Sequence, residues 1–191
     1  MPVQIKIEKN ITDSNELLNE KEACISFSPA HCAKFEKKGA FVVLDFGKEL
    51  CGGVRIITRA VDENADFRIT FGESLTEALS SIGEKNATNN HSPRDIKVEI
   101  PQLSDLTFGQ TGFRFVRIEL LSEKPVQVRN MFAINTLPYF EKEAVITTSD
   151  EELNKIIETA AYTLKLNFQN GYIWDGIKRD RYIWSGDAYQ S

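Results

Sequence analysis

FVVLDFGKELCGGVRIITRAV, residues 41–61, holds two β-rich runs, FVVLDF at 41–46 and VRIITRAV at 54–61, parted by a polar, glycine-bearing stretch. β-Branched and aromatic residues dominate both runs, and such residues suit a pleated, half-buried surface. Further runs follow at short intervals: FRITF at 67–71, DIKVEI at 95–100, FRFVRIEL at 113–120 and VQVRNMFAI at 126–134. Within them the period is two. Phe67, Ile69 and Phe71 share one face while Arg68 and Thr70 are expected in water, and Ile96, Val98 and Ile100 oppose Lys97 and Glu99. In FRFVRIEL the apolar parity shifts from Phe113 and Phe115 to Val116, Ile118 and Leu120, which requires a bulge or a strand buried on both faces. Short strands at this spacing predict a mainly β fold, an antiparallel, jelly-roll-like β-sandwich.

Outward from this core the character changes. Residues 1–38 show no stable period and read as a strand-poor leader, with SPAH at 28–31 as a turn. EALSSIGEKNATNNHSPRD is a long polar excursion between strands, and His91 within it reads as solvated or capping. Gly52-Gly53 reads as a turn or bulge and not as a phosphate cradle, because no helical pattern follows it. After Leu137-Pro138 the period becomes helical. Ser149 and Glu152 form a capping box, and Leu153, Ile156, Ile157, Ala160, Leu164 and Phe168 make one apolar stripe along about five turns. The expected organisation is a leader at 1–38, a β-sandwich at 39–137, a linker at 138–148 and the opening of a helical domain at 149–191. A lone helix cannot bury its own stripe, so this last part is expected to pack poorly by itself or to meet a second copy through the exposed helix.

The formal net charge is -5 and the basic residues are scattered, which argues against a nucleic-acid partner. No apolar run approaches the roughly 20 residues of a membrane span, and the opening MPVQIKIEKN lacks a signal-peptide pattern, which leaves the compartment open. The three cysteines, Cys24, Cys32 and Cys51, cannot all pair. With His31 and His91 they match no zinc spacing, so no metal is implied.

The densest chemistry lies at Trp174 to Asp187, WDGIKRDRYIWSGD, which gathers three Asp, three Lys or Arg, two Trp and a Tyr into fourteen positions. Glycoside hydrolysis needs two carboxyl groups, apolar plates for sugar faces and fixed donors for hydroxyls. Asp175, Asp180 and Asp187 supply carboxyls, Trp174, Tyr182 and Trp184 supply plates, and Arg179 and Arg181 supply donors. The same residues also fit a structural role: an Asp175–Arg179 pair one helical turn apart, core tryptophans, and Asp187 in a turn after Gly186.

Taken in order, LDFGKELCGGVRI at 44–56, ITFGES at 69–74, TGFRFVRIEL at 111–120, SDEELNKI at 149–156 and WDGIKRDRYIWSGD resemble the successive landmarks of bacterial α-L-rhamnosidases. The resemblance covers about residues 40–191. It implies β-sandwich modules followed by the first helical segment of a truncated (α/α)6 barrel, the catalytic domain, and an inverting acid/base hydrolysis of terminal α-L-rhamnosides. Rhamnose-containing glycans or glycosides are the implied partners, and no cofactor is implied. Asp175, Arg179, Asp180, Trp184, Gly186 and Asp187 match the family's sugar-site motif: Asp175, Arg179 and Trp184 as substrate-binding residues, Asp180 and Asp187 as catalytic carboxyls.

Two departures stand out. Gly176-Ile177 replace the family's Cys-Pro, and RDRYIW is one residue shorter than the family's RDERxGW, so the glutamate used as general acid has no counterpart. Asp180, flanked by Arg179 and Arg181, would be held ionised by a cation within reach, as a binding carboxylate is. Asp187 against the Trp184 indole would be raised toward an acid's range. The general base of the family lies further along the barrel, so this chain is expected to be a fragment inactive by itself. The alternative is a non-catalytic carbohydrate-binding or scaffold module.

Overall fold

The computed structural model describes residues 1–59, 64–85, 91–101, 103–141, 145–178 and 181–188, with only the backbone of Ser92, Asp187 and Ala188. The chain divides into two compact units, Met1–Asn135 and Thr136–Ser191.

The first unit is antiparallel β throughout. Its strands are β1 (Gln4–Lys9), β2 (Ile11–Thr12), β3 (Ala33–Phe35), β4 (Phe41–Thr58), β5 (Ala65–Gly72), β6 (Asp95–Ile100), β7 (Asp105–Leu120) and β8 (Val126–Asn135). FVVLDF and VRIIT are therefore one strand, β4, and the stretch between them bends it. The register against β7 jumps between Asp45–Phe115 and Leu50–Phe113, so β4 and β7 pass together from one layer to the other. Their first pairing, Phe41–Asp45 with Phe115–Glu119, is flanked by β1 on one side and by β5 and β6 on the other. Their second pairing, Leu50–Ile57 with Asp105–Phe113, is flanked by β8, β3 and β2. Two half-sheets joined by two long bent strands make the sandwich, and Ala60 and Val61 of the second run lie outside the described residues.

The core lies between the half-sheets. Phe35 of β3 meets Phe67 of β5 edge to face, ring centroids 5.7 Å apart, and Phe113 stacks on Phe46 and Phe71 in the same manner. Val42, Leu44, Val54, Ile56, Ile69, Val116, Ile118, Leu120, Val128 and Met131 fill the rest. Gly109 permits this packing: its φ is +85°, and a Cβ there would lie 2.4 Å from the Phe71 ring.

The leader expectation is corrected, since residues 1–38 contribute β1, β2 and β3 to the sheet. β2 and β3, of two and three residues, are too short for periodicity to show itself, whereas six-residue β1 does alternate, with Ile5 and Ile7 half-buried between exposed Gln4, Lys6 and Glu8. The polar excursion is corrected in part. Its helix α1 (Leu75–Leu79), capped by Ser74, packs Ala78, Leu75 and Leu79 against Val43 and Phe115 on the outer face of the sheet. In FRFVRIEL, Phe113, Val116, Ile118 and Leu120 join the core and Phe115 is buried on the outer face, while Arg114, Arg117 and Glu119 are half-buried; Thr70, expected in water, is buried as well. Arg94, 1% exposed, ties the end of the excursion down by donating to the Glu77 and Ser80 carbonyls at 3.1 Å.

Paired ions line the strand faces. Arg68 reaches Asp95 and Arg55 reaches Asp105 through two hydrogen bonds each. Arg114 does the same with buried Asp45, and its guanidinium, helped by the Gly47 N–H, holds that carboxyl below the usual range against the opposing effect of burial. Cys24, Cys32 and Cys51 form no disulfide, and burial pushes the Cys32 thiol up.

The second unit is built on α2 (Glu151–Asn167). Its N-cap is Asp150 and not Ser149: the Asp150 carboxylate accepts the Glu152 and Leu153 N–H groups at 2.9 and 3.1 Å. Asn154 adds a clasp, its side chain bonded to the Thr148 N–H, hydroxyl and carbonyl. The stripe is exposed, with Leu153 at 42%, Ile156 at 58% and Leu164 at 37%. Among the described residues no helix is long and apolar enough to cross a membrane.

Candidate functional site

α2 runs directly into a two-strand hairpin, β9 (Phe168–Gln169) and β10 (Tyr172–Ile173). The turn is Asn170-Gly171 with φ of +53° and +81°, the backbone that a two-residue hairpin demands. An Asn-Gly pair flanked by Phe168-Gln169 and Tyr172-Ile173 is the sequence signal for this turn. Buried Gln169 anchors the hairpin by donating to the Leu166 and Thr136 carbonyls, each at 2.9 Å, and Phe168 packs on Phe140. The Trp174 N–H then donates to the Asn167 carbonyl at 2.9 Å, so the WDGIKRDRYIWSGD stretch leaves the hairpin at a defined point.

From there the chain makes a loop closed at its neck. The Asp175 N–H donates to the Tyr182 carbonyl at 3.0 Å, and the Asp175 carboxylate accepts the Tyr182 N–H at 3.0 Å and the Trp184 indole N–H at 3.1 Å. Ile177 is buried at the base. Arg181, at φ +56°, sets its guanidinium 5.4 Å from the centre of the Trp174 ring. Tyr182 and Trp184 meet edge to face at 5.8 Å, and both are exposed. α3 (Ser185–Ala188) follows.

The structure brings Asp175 and Trp184 together. Arg179 and Asp180 lie outside the described residues, and Asp187 is described only as backbone within α3. Two parts of the structural alternative can be read: Asp175 is in a bend and not on a helix, so it makes no helical ion pair, and of the two tryptophans Trp174 is half-buried and Trp184 exposed. The bond from the indole to Asp175 joins residues nine positions apart, and no sequence period signals such a contact. Among the described residues no three His, Cys, Asp or Glu side chains converge as a metal site.

An exposed pair of aromatic rings beside a carboxylate suits a flat, hydroxylated ligand. Set beside solved structures, the chain overlays a rhamnosidase from Klebsiella oxytoca with rhamnose bound at a TM-score of 0.72, with 22% identity, over 97% of this chain and 38% of that one. The fold is shared. A GH78 family rhamnosidase of Bacillus sp. GL1 follows at a TM-score of 0.64 and 17% identity, over 81% of this chain and 16% of that one. The α-L-rhamnosidase from Dictyoglumus thermophilum gives 0.53 and 21%, over 78% of this chain and 17% of that one. The chain thus spans less than two-fifths of the length of each of these rhamnosidases. Comparison with family models and with curated proteins finds no match.

Proposed function

We propose that this chain is the N-terminal part of a glycoside hydrolase that releases terminal α-L-rhamnose with inversion, its sandwich an accessory domain and its second unit the opening of the catalytic barrel. The observation that carries the reading is the overlay of 97% of the chain on the Klebsiella oxytoca rhamnosidase, a protein with rhamnose bound. That likeness supports a common scaffold. The chemistry is argued from the residues at 174–187.

In this reading Asp175, Arg179 and Trp184 form the sugar-binding set: Trp184 and Tyr182 offer ring faces to the C–H side of a deoxyhexose, while Arg179 and the carboxylates meet its hydroxyls. Asp180 or Asp187 protonates the departing oxygen. The carboxylate that activates water comes from chain beyond Ser191, as inversion requires a second carboxyl about 6.5–9.5 Å from the first. The 191-residue chain by itself is then inactive. The second reading, a non-catalytic carbohydrate-binding module, draws on the exposure of Trp184 and Tyr182, since stacking alone binds sugar without a proton donor.

The test is hydrolysis of an aryl α-L-rhamnoside by the whole polypeptide that carries this chain, with Asp180→Asn and Asp187→Asn beside it. Loss of turnover in at least one variant, by 10²-fold or more for a missing general acid, is the expected result. Unchanged turnover in both removes these residues from the mechanism. Heat of L-rhamnose binding without hydrolysis selects the binding module.

A further inference from the structure

Each oxygen of the exposed Asp175 carboxylate already accepts one hydrogen bond from within the chain. Its Oδ1 takes the Tyr182 N–H at 3.0 Å and its Oδ2 takes the Trp184 indole N–H at 3.1 Å, while its own N–H closes the neck on the Tyr182 carbonyl at 3.0 Å. Three bonds from one residue therefore reach partners seven and nine positions along the chain. Hydrogen bonds to an ionised acceptor are the stronger kind, and here both oxygens are used within the loop.

Trp184 needs such a partner. The ring is 55% exposed, and its aromatic neighbour Tyr182 is 60% exposed, so packing alone does not fix the ring. An indole selects a sugar face only when it is presented in one orientation before the ligand arrives, because ordering it afterwards costs affinity. A carboxylate on the indole nitrogen fixes that orientation and leaves both ring faces free of the bond.

We propose that Asp175 is a positioning residue: its carboxylate clasps the neck of the 175–182 loop and aims the Trp184 indole, and it acts on ligand through that ring. The inference rests on the rhamnoside reading of the 174–187 stretch and assigns Asp175 a different part within it.

Two measurements separate this inference from the reading beneath it. In ¹⁵N-labelled full chain the two indole N–H groups are resolved, with Trp184→Phe to assign them. The Trp184 group is expected to exchange with water at least tenfold faster in Asp175→Ala, and by less in Asp175→Asn, which keeps one acceptor, while the Trp174 group is unmoved. Equal exchange in wild type and both variants overturns the clasp. In the whole polypeptide, L-rhamnose affinity is then compared for Asp175→Ala, Trp184→Ala and the double variant. Losses of similar size that do not multiply in the double variant are expected. Multiplied losses overturn the inference, because Asp175 then touches sugar on its own account. Protected indole exchange in a wild type that binds no rhamnose supports the clasp and sinks the rhamnoside reading.

Discussion

The two units are held together by opposite means. In Met1–Asn135 the strands are rich in contacts that lie far apart in sequence: Phe35 with Phe67, Phe46 with Phe113, Arg114 with Asp45. In Thr136–Ser191 most of the bonds are local, Gln169 with the Thr136 carbonyl and Phe140 with Phe168 being the exceptions. Asp150 caps the residues two and three ahead of it, Asn154 clasps Thr148, Gln169 holds Leu166, and Asp175 reaches seven and nine residues along. Leu166 and Ile177 are its buried apolar side chains among the described residues, while the stripe of α2 is open. A unit that buries a common core resists local opening as a whole, whereas one built from caps and clasps opens piece by piece.

This contrast can be broken or sharpened by substitution. Phe67→Ala removes a ring that is 0% exposed and joins the two half-sheets, and is expected to cost about 3–5 kcal/mol in urea unfolding. A loss under about 1 kcal/mol would mean that the half-sheets do not share a core. Gly109→Ala comes next. The left-handed backbone costs roughly 1–2 kcal/mol for a residue with a Cβ, and the collision with the Phe71 ring adds about 1–3 kcal/mol, both read as a lower denaturant midpoint. Asp150→Ala is expected to cost about 1 kcal/mol, confined to the first turn of α2 and seen as faster amide exchange at Glu152 and Leu153 with the sandwich amides unchanged. Exchange that quickens in both units together would erase the distinction between them. The smallest effect is expected from Ile156→Ser, within about 0.5 kcal/mol, because the side chain is already 58% exposed. A cost several times larger would mean that the stripe is covered in solution.

Period-two alternation made Phe67, Ile69 and Phe71 legible as core and DIKVEI legible as β6, because a strand with one buried face writes its burial into every second residue. The same signal misled at Thr70, where the excursion folds back and buries the opposite face, a fact that no local window contains. It also parted β4 in two, since a register shift in a strand that passes from one layer to the other resembles a turn when its partner strand is unseen. At the candidate site the residue types pointed to carbohydrate chemistry, but Asp175 as a clasp was hidden. Its partners are backbone N–H and indole N–H groups at distances along the chain that match neither 3.6 nor 2.

By itself the sequence determined what local physics can impose: where strands alternate, where a helix with one apolar stripe runs, and which stretch concentrates carboxyls, cations and rings. Only the tertiary structure decided that residues 1–38 join the sheet, that β4 and β7 span both layers, and that both Asp175 oxygens are taken within the loop. Each of these depends on pairing between distant groups. Backbone hydrogen bonds and close packing choose such partners by geometry, and composition leaves no periodic trace of the choice.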